Sequence, residues 1–215
     1  SNAPASRFII QLNWVDFITL SSVVTTSLAF ALAMNGFWYG ALSLLFVAMT
    51  ADALDGFLAR RFAMERNFGS YLDGFMDVLI YLVTPSILLY RSGFDGYFGI
   101  VLILFMAAGC VRLAVFNDIG NVYAAGRSRY LGMPVFWSLF ITAFYLLLHY
   151  NDVPLLLNNI GLALCLSLFS LLMVSHKTFF KFTSIGQMFS LTIAGAVLFS
   201  TLQLAKVGSV EFIDR

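Results

Sequence analysis

The sequence predicts an all-α polytopic membrane helix bundle of about seven transmembrane helices. Of its 215 residues, 60% are hydrophobic and only 11% are charged. A typical soluble domain has about 45–50% apolar residues and about 25% charged residues. The hydrophobic residues form long unbroken runs, which favour membrane helices over the alternating pattern of a barrel. This composition excludes a water-soluble globule and a disordered chain. The net charge of +1 argues against a basic nucleic-acid-binding protein, so no nucleic-acid partner is expected.

Seven segments approach the length of about 20 mostly apolar residues that a membrane-spanning helix needs. They are residues 15–35, 37–59, 69–91, 95–117, 132–150, 154–175 and 184–206. The breaks between them are short, so residues 4–215 are predicted to form one domain. Ser1-Asn2-Ala3 is typical of an expression-tag remnant and is set aside. Residues 4–14 fit either an interfacial segment, with Trp14 at headgroup depth, or a frayed end.

The basic residues are distributed unequally between the two ends of these spans. Eight fall on one side and three on the other, with Arg112 in or near the fourth span. The larger group is Arg7, Arg60, Arg61, Arg66, Arg127, Arg129, Lys177 and Lys181, and the smaller is Arg91, Lys206 and Arg215. The positive-inside rule therefore places the larger group and the N-terminus in the cytoplasm. This predicts an integral protein of the cytoplasmic (inner) membrane.

Four aspartates lie at the cytoplasmic ends of the second and third spans. Asp52 and Asp55 share one helix face at i and i+3, and Asp73 and Asp77 share another at i and i+4. The short basic loop between these spans makes them an antiparallel hairpin, so the two pairs can converge. A carboxylate in hydrocarbon costs a few kcal/mol or more, and four of them repel one another unless cations lie between them. Oxygen ligands favour Mg²⁺, Mn²⁺ or Ca²⁺ over zinc.

Small and basic residues accompany these carboxylates. Gly56 and Gly69 leave room for a bulky ligand near the backbone, although glycines also serve ordinary helix packing in membranes. Ala59 lies one turn beyond Asp55. Arg60 is suited to bidentate phosphate binding, or it serves only as a charge that sets the topology. The aspartates and these neighbours together favour a site for a phosphorylated ligand.

The eight positions together resemble the signature of the CDP-alcohol phosphatidyltransferases. They read Asp52-x-x-Asp55-Gly56-x-x-Ala59-Arg60, then eight residues, then Gly69-x-x-x-Asp73-x-x-x-Asp77. Further stretches resemble the phosphatidylserine synthase branch, such as Arg112-Leu-Ala-Val-Phe-Asn117 and Tyr130-Leu-Gly-Met-Pro134. The chain departs from that branch at Gly74, Val115 and Phe136. These positions bear on the choice of acceptor alcohol, so the acceptor stays open.

The resemblance implies a six-helix core with one added C-terminal helix, and transfer of a phosphatidyl group from CDP-diacylglycerol to an alcohol with release of CMP. In the serine branch the product is phosphatidylserine. By the same resemblance the chain is expected to be a homodimer among membrane lipids and to use two divalent cations, Mg²⁺ or Mn²⁺. The implied roles are metal binding by Asp52, Asp55, Asp73 and Asp77, a cytidine pocket of Gly56, Ala59 and Gly69, and phosphate binding by Arg60. Asp77 is also a candidate general base for the acceptor hydroxyl.

Basic residues after the fourth span are candidates for binding the acceptor. Arg112, Arg127 and Arg129 can each pair with a carboxylate such as that of serine, with Asn117 and Tyr130 as further candidates. Arg127 and Arg129 fit lipid phosphates equally well. Two alternatives stay open: a different acceptor, such as glycerol 3-phosphate or an inositol phosphate, and a cation transporter. A transporter predicts acidic residues spread across the bilayer rather than gathered at one end.

Overall fold

The computed structural model describes residues 9–120, 122–124, 127–179 and 185–213. The helices in these residues are α1 (Trp14–Met34), α2 (Trp38–Arg61), α3 (Asn67–Asp77), α4 (Thr84–Arg91), α5 (Gly99–Ile119), α6 (Trp137–Tyr150), α7 (Leu155–Met173) and α8 (Ile185–Ile213). A π-helix, Val78–Val83, joins α3 to α4 in one continuous segment, and a 3₁₀ turn, Gly96–Phe98, leads into α5. Arg7, Lys181 and Arg215 lie outside the described residues, as do residues 1–8 as a whole.

The all-α membrane class is confirmed. Within the described residues, six helical segments are long and apolar enough to cross a membrane. The predicted fifth span, 132–150, is shorter than expected, because α6 begins only at Trp137 and has 14 residues. Fourteen residues measure about 21 Å, against a hydrocarbon core of about 30 Å. Gly132 turns the backbone at φ +72°, and Pro134 has no N–H to donate, so the helix starts after both.

A small antiparallel sheet occupies the region that the sequence predicts as a loop after the fourth span. Strands β1 (Val122–Ala124) and β2 (Arg127–Leu131) form a hairpin. Strand β3 (Thr178–Phe179), which follows α7, pairs with β2 and places Tyr130 opposite Phe179. The sheet therefore ties the segment after α5 to the segment after α7, at the same end of the bundle as the α2–α3 loop.

The turn at Gly132 fastens this sheet to the end of α7. The Gly132 N–H donates to the Lys177 carbonyl at 2.9 Å, and the Met133 N–H donates to the Leu172 carbonyl at 3.0 Å. A Cβ at position 132 would overlap the carbonyl oxygen of Met173. Glycine is required here both by the positive φ and by the close backbone approach.

We expect Gly132→Ala to destabilise the protein. The left-handed backbone costs an alanine about 1–2 kcal/mol, and the overlap with Met173 adds to this. A loss of that size lowers Tm by roughly 2–4 °C per kcal/mol in a chain of this length. Thermal unfolding of the detergent-purified chain measures the change. Gly161→Ala in α7 is the control, because a Cβ there meets nothing within 4 Å. Equal Tm values for the two variants would contradict the proposed strain.

Helix α8, for which the sequence predicts no role, packs along α2 through a line of polar contacts. The Ser43 hydroxyl donates to the Ala196 carbonyl at 2.7 Å, and the Thr50 hydroxyl bonds that of Thr192 at 2.9 Å. Near the other end, the Gly40 N–H donates to the Gln203 side chain at 3.0 Å. Such contacts between helices hold bundles together in lipid. Helix α8 thus supports α2, which carries Asp52 and Asp55.

Candidate active site

Carboxylates from both arms of the α2–α3 hairpin meet at its closed end. Helix α2 ends at Arg61 and α3 begins at Asn67, so the last turns of one helix lie beside the first turns of the other. One oxygen from each of Asp52, Asp55 and Asp73 lies within 4.8 Å of the others. Ligand oxygens across one Mg²⁺ ion are about 4 Å apart, because each bond is about 2.0–2.1 Å. Small side-chain rotations therefore suffice for these oxygens to share a cation.

Hydroxyl groups from neighbouring helices hold the two α2 carboxylates. Thr19 of α1 donates to Asp55 Oδ2 at 2.5 Å, and both side chains are buried. Tyr81 of the π-helix donates to Asp52 Oδ2 at 2.7 Å. Each carboxylate is thereby fixed in orientation through one oxygen. The donor set, three carboxylates oriented by outer hydroxyls, suits a hard divalent cation.

Asp77, the fourth predicted ligand, does not belong to this set of three. It lies one turn beyond Asp73, and the opposite charge of Arg112 on α5 attracts it. Asp77 therefore lies next to the acidic cluster, and its charge and that of Arg112 attract each other. This position is compatible with both roles predicted for Asp77, a metal ligand and a base.

A cavity of about 270 Å³ opens beside the acidic cluster, between α1, α2 and α3. All four residues predicted for the donor pocket line it: Gly56, Ala59, Arg60 and Gly69. A Cβ at Gly56 would lie 3.4 Å from Arg60 Nη1, so the guanidinium lies over the glycine backbone. Arg60 is exposed at the mouth of the cavity, where it can reach an entering phosphate.

The start of α1 forms a wall of this cavity that the sequence analysis did not assign. Asn13 and Asp16 form a capping box: the Asp16 N–H donates to Asn13 Oδ1 at 2.9 Å, and Asp16 Oδ2 accepts from the Asn13 N–H at 2.7 Å. The same Asp16 carboxylate pairs with Arg66 from the α2–α3 loop. Arg66 also donates to the Gln11 carbonyl at 3.0 Å. These bonds fasten the beginning of α1 to the hairpin.

On α5, Arg112 is buried, with 5% of its surface exposed. Its guanidinium lies 4.9 Å from the Phe116 ring centre and 5.6 Å from that of Tyr130. The Arg112 Nε atom has no hydrogen-bond partner within the described part of the chain. Burial raises the pKa of Tyr130, and the charge of Arg112 opposes that rise. The phenol therefore keeps its proton near neutral pH and can donate it to a ligand.

The other acceptor candidates are distributed unevenly. Asn117 lies against α3, where a Cβ at Gly74 would be 2.7 Å from its Nδ2 atom; a larger residue at position 74 would require the Asn117 side chain to move. Arg129 lies on β2 opposite Val122. Arg127 begins β2, but its side chain falls outside the described residues. The structure thus brings Arg112, Asn117 and Tyr130 to the α3–α5 side of the site.

Comparison with known proteins agrees with this arrangement. Residues 12–174 match the family model described as CDP-alcohol phosphatidyltransferase. The chain belongs to the CDP-alcohol phosphatidyltransferase family. The matched range includes α1 to α7 and the residues of the acidic cluster, whereas α8 follows it.

Three curated relatives illustrate the spread of this family. A CDP-diacylglycerol–serine O-phosphatidyltransferase of Methanocaldococcus jannaschii is 32% identical over 120 residues, which cover 56% of this chain and 53% of that protein. An archaetidylserine synthase of Methanothermobacter thermautotrophicus is 28% identical, covering 64% and 60%. A phosphatidylcholine synthase of Pseudomonas aeruginosa is 28% identical, covering 62% and 56%. The chain thus spans between half and two thirds of the length of these relatives.

Proposed function

We propose that this member of the CDP-alcohol phosphatidyltransferase family transfers the phosphatidyl group of CDP-diacylglycerol to the hydroxyl of serine, giving phosphatidylserine and CMP. The convergence of Asp52, Asp55 and Asp73 beside a pocket that carries Arg60 is the observation that supports it. A membrane protein that gathers three carboxylates next to a phosphate-binding arginine has the groups needed to bind a pyrophosphate through divalent cations. The family match favours this enzyme over the cation transporter.

The proposed reaction is a direct displacement at phosphorus. When bound, Mg²⁺ or Mn²⁺ neutralises charge on the pyrophosphate and on the departing CMP. Arg60 holds a donor phosphate at the mouth of the pocket, while Gly56 and Gly69 leave space for the cytidine. Asp77 accepts the proton of the serine hydroxyl as its oxygen bonds to phosphorus. The bond from phosphorus to the CMP oxygen breaks, and CMP leaves with that electron pair.

The presence of one buried arginine, Arg112, favours serine over phosphorylated acceptors. On α5, Arg112 is buried beside Phe116 and Tyr130. One buried guanidinium matches one carboxylate in a charge-assisted hydrogen bond. A phosphate monoester carries more charge and would need a denser basic pocket. Choline has no carboxylate, so an enzyme for that acceptor gains nothing from Arg112.

The proposed site faces the cytoplasm. Arg60, Arg61, Arg66 and Lys177 lie at the end of the bundle that holds the acidic cluster, whereas Arg91 is the last residue of α4, at the opposite end of the third span. This distribution supports cytoplasmic placement by the positive-inside rule. The homodimer and the role of Arg127 and Arg129 at lipid or acceptor stay predictions.

An acceptor panel tests the proposed substrate. The purified chain is given CDP-diacylglycerol and Mn²⁺ with radiolabelled serine, choline, glycerol 3-phosphate or inositol phosphate, one at a time. Labelled lipid is expected with serine. Lipid formed with another alcohol but not with serine would replace the acceptor and keep the reaction class. No labelled lipid with any acceptor would overturn the proposed function.

We expect Arg112→Ala to weaken serine binding selectively. Loss of a hydrogen bond to a charged group costs about 1.5–3 kcal/mol, so the KM for serine should rise about 10–100-fold. The KM for CDP-diacylglycerol should change much less, because Arg112 is not among the residues that line the donor cavity. Arg91→Ala serves as the control, since Arg91 donates to the Met34 carbonyl at the far end of the bundle. Equal increases in both KM values would argue against a role for Arg112 in acceptor binding.

A further inference from the structure

Tyr81 is a buried phenol that the proposed reaction does not use. It lies in the π-helix, four positions after Asp77, and only 1% of its surface is exposed. Its hydroxyl donates to Asp52 Oδ2 at 2.7 Å. A phenylalanine would fill nearly the same space, so packing alone does not explain why a hydroxyl is present at this position.

We infer that Tyr81 is a positioning residue that holds Asp52 in the orientation needed to bind a divalent cation, an inference that rests on the metal-dependent function proposed above. A carboxylate can rotate about its last side-chain bond, and a hydrogen bond to one oxygen fixes its plane. The other oxygen then keeps a constant direction toward the cluster. Outer partners of this kind orient metal ligands and tune their affinity.

Thr19 and Tyr81 hold the two α2 carboxylates from two different helices. Thr19 of α1 bonds Asp55 Oδ2, and Tyr81 of the π-helix bonds Asp52 Oδ2. Each carboxylate therefore receives a hydroxyl from a different neighbouring helix. This paired arrangement fixes two ligands that share one helix face, so their relative positions are set before any cation binds.

The backbone around Tyr81 is also held in place. Its carbonyl accepts a hydrogen bond from Ser138 Oγ of α6 at 2.6 Å, and Ser138 is buried. The π-helix changes the backbone pattern directly after Asp77, and such segments are frequent at functional sites. Tyr81 is thus fixed through its carbonyl by α6, while its phenol bonds α2. These two attachments hold the Tyr81 hydroxyl in a constant position relative to Asp52.

Direct measurement of Mn²⁺ binding by electron paramagnetic resonance tests this inference on the purified full chain. Tyr81→Phe is expected to raise the Mn²⁺ dissociation constant about tenfold, the effect typical of losing an outer partner. Tyr145→Phe is the matched control, because it also removes a buried phenol that bonds a side chain, here Asn159 at 2.9 Å. Asn159 lies 14 residues before the end of α7. That end is on the same side of the bundle as the acidic cluster, so Asn159 is about 21 Å away from it along the helix. Both variants should lose thermal stability, but only Tyr81→Phe should lose metal affinity.

An unchanged Mn²⁺ dissociation constant in Tyr81→Phe would overturn the inference, as would equal weakening in Tyr145→Phe. If Tyr81→Phe does not fold, Ser138→Ala is tested in its place. This variant removes the hydrogen bond to the Tyr81 carbonyl and keeps the phenol. Weaker Mn²⁺ binding in that variant supports the positioning role, and wild-type binding refutes it. A wild-type chain that binds Mn²⁺ but makes no phosphatidylserine refutes serine as the acceptor and leaves the inference about Tyr81 standing. A wild-type chain that binds no Mn²⁺ refutes both proposals.

Discussion

Replacing Asp73 with asparagine is expected to lower the rate of CMP release about 10²–10³-fold, the loss typical when one group that stabilises transition-state charge is removed. Asp73 is the one member of the acidic cluster that comes from α3. Without its charge, only the two α2 carboxylates remain to hold cations against the pyrophosphate. The dissociation constant for Mn²⁺ should rise as well. Initial rates of CMP release and Mn²⁺ titrations measure the two effects.

Asp95→Asn provides the control for this prediction. Asp95 is exposed and lies between α4 and α5, at the end of the bundle away from the cluster. The same loss of a carboxylate charge should leave both CMP release and Mn²⁺ binding unchanged there. If Asp73→Asn retained wild-type activity and wild-type Mn²⁺ affinity, the cluster could not be the metal site that the proposed reaction needs.

Replacing Asp77 with asparagine is expected to separate catalysis from metal binding. The Asp77 carboxylate lies outside the three-oxygen cluster and is attracted by Arg112, which suits a base that takes the serine proton. Loss of a general base typically costs about 10²–10⁴-fold in rate. The Mn²⁺ dissociation constant should change far less than in Asp73→Asn. Rates at saturating serine, measured beside Mn²⁺ titrations of the same preparations, give this comparison.

Two results would contradict the role given to Asp77. Phosphatidylserine formation at the wild-type rate in Asp77→Asn would exclude it as the base. A loss of Mn²⁺ affinity as large as that of Asp73→Asn would make Asp77 a metal ligand, as the family resemblance alone implies. The two variants carry the same chemical change on the same helix, so the difference between them reports position rather than charge.

The aspartates and the donor-pocket residues could be predicted because their signals are local. Asp52 and Asp55 share a face of one helix, Asp73 and Asp77 share a face of the next, and a short loop makes the helices antiparallel. Those three facts are sufficient to bring the carboxylates together. The cavity beside them contains Gly56 and Arg60 as predicted, because both lie within one or two turns of Asp55.

The partners of these residues could not be predicted, because they come from distant parts of the chain. Arg66 pairs with Asp16 across 50 positions, and Tyr81 reaches Asp52 across 29. Helical periodicity gives the face of a residue but not which neighbouring helix packs against it. The capping box of Asn13 and Asp16 had a readable local pattern, a polar pair three residues apart before an apolar run. That pattern could have located the start of α1.

The sheet and the fifth helix show a different limit. Strands of two to five residues are too short to show an alternation of apolar and polar residues, so residues 118–130 are predicted as a loop. The apolar run from residue 132 predicts a membrane span, although the backbone turns at Gly132 and α6 starts at Trp137. Composition alone does not distinguish a buried turn beside α7 from the first turn of a membrane helix.

We propose that divalent cations at the Asp52–Asp55–Asp73 cluster enable transfer of the phosphatidyl group to serine. The most direct measurement is a simultaneous assay of CMP and labelled phosphatidylserine, with metal removed by EDTA and then restored as Mn²⁺. The two products should appear in equal amounts with Mn²⁺, stop together with EDTA, and return together when Mn²⁺ is added in excess. Equal formation of phosphatidylserine in EDTA and in Mn²⁺ would contradict the claim, as would CMP release with no labelled lipid.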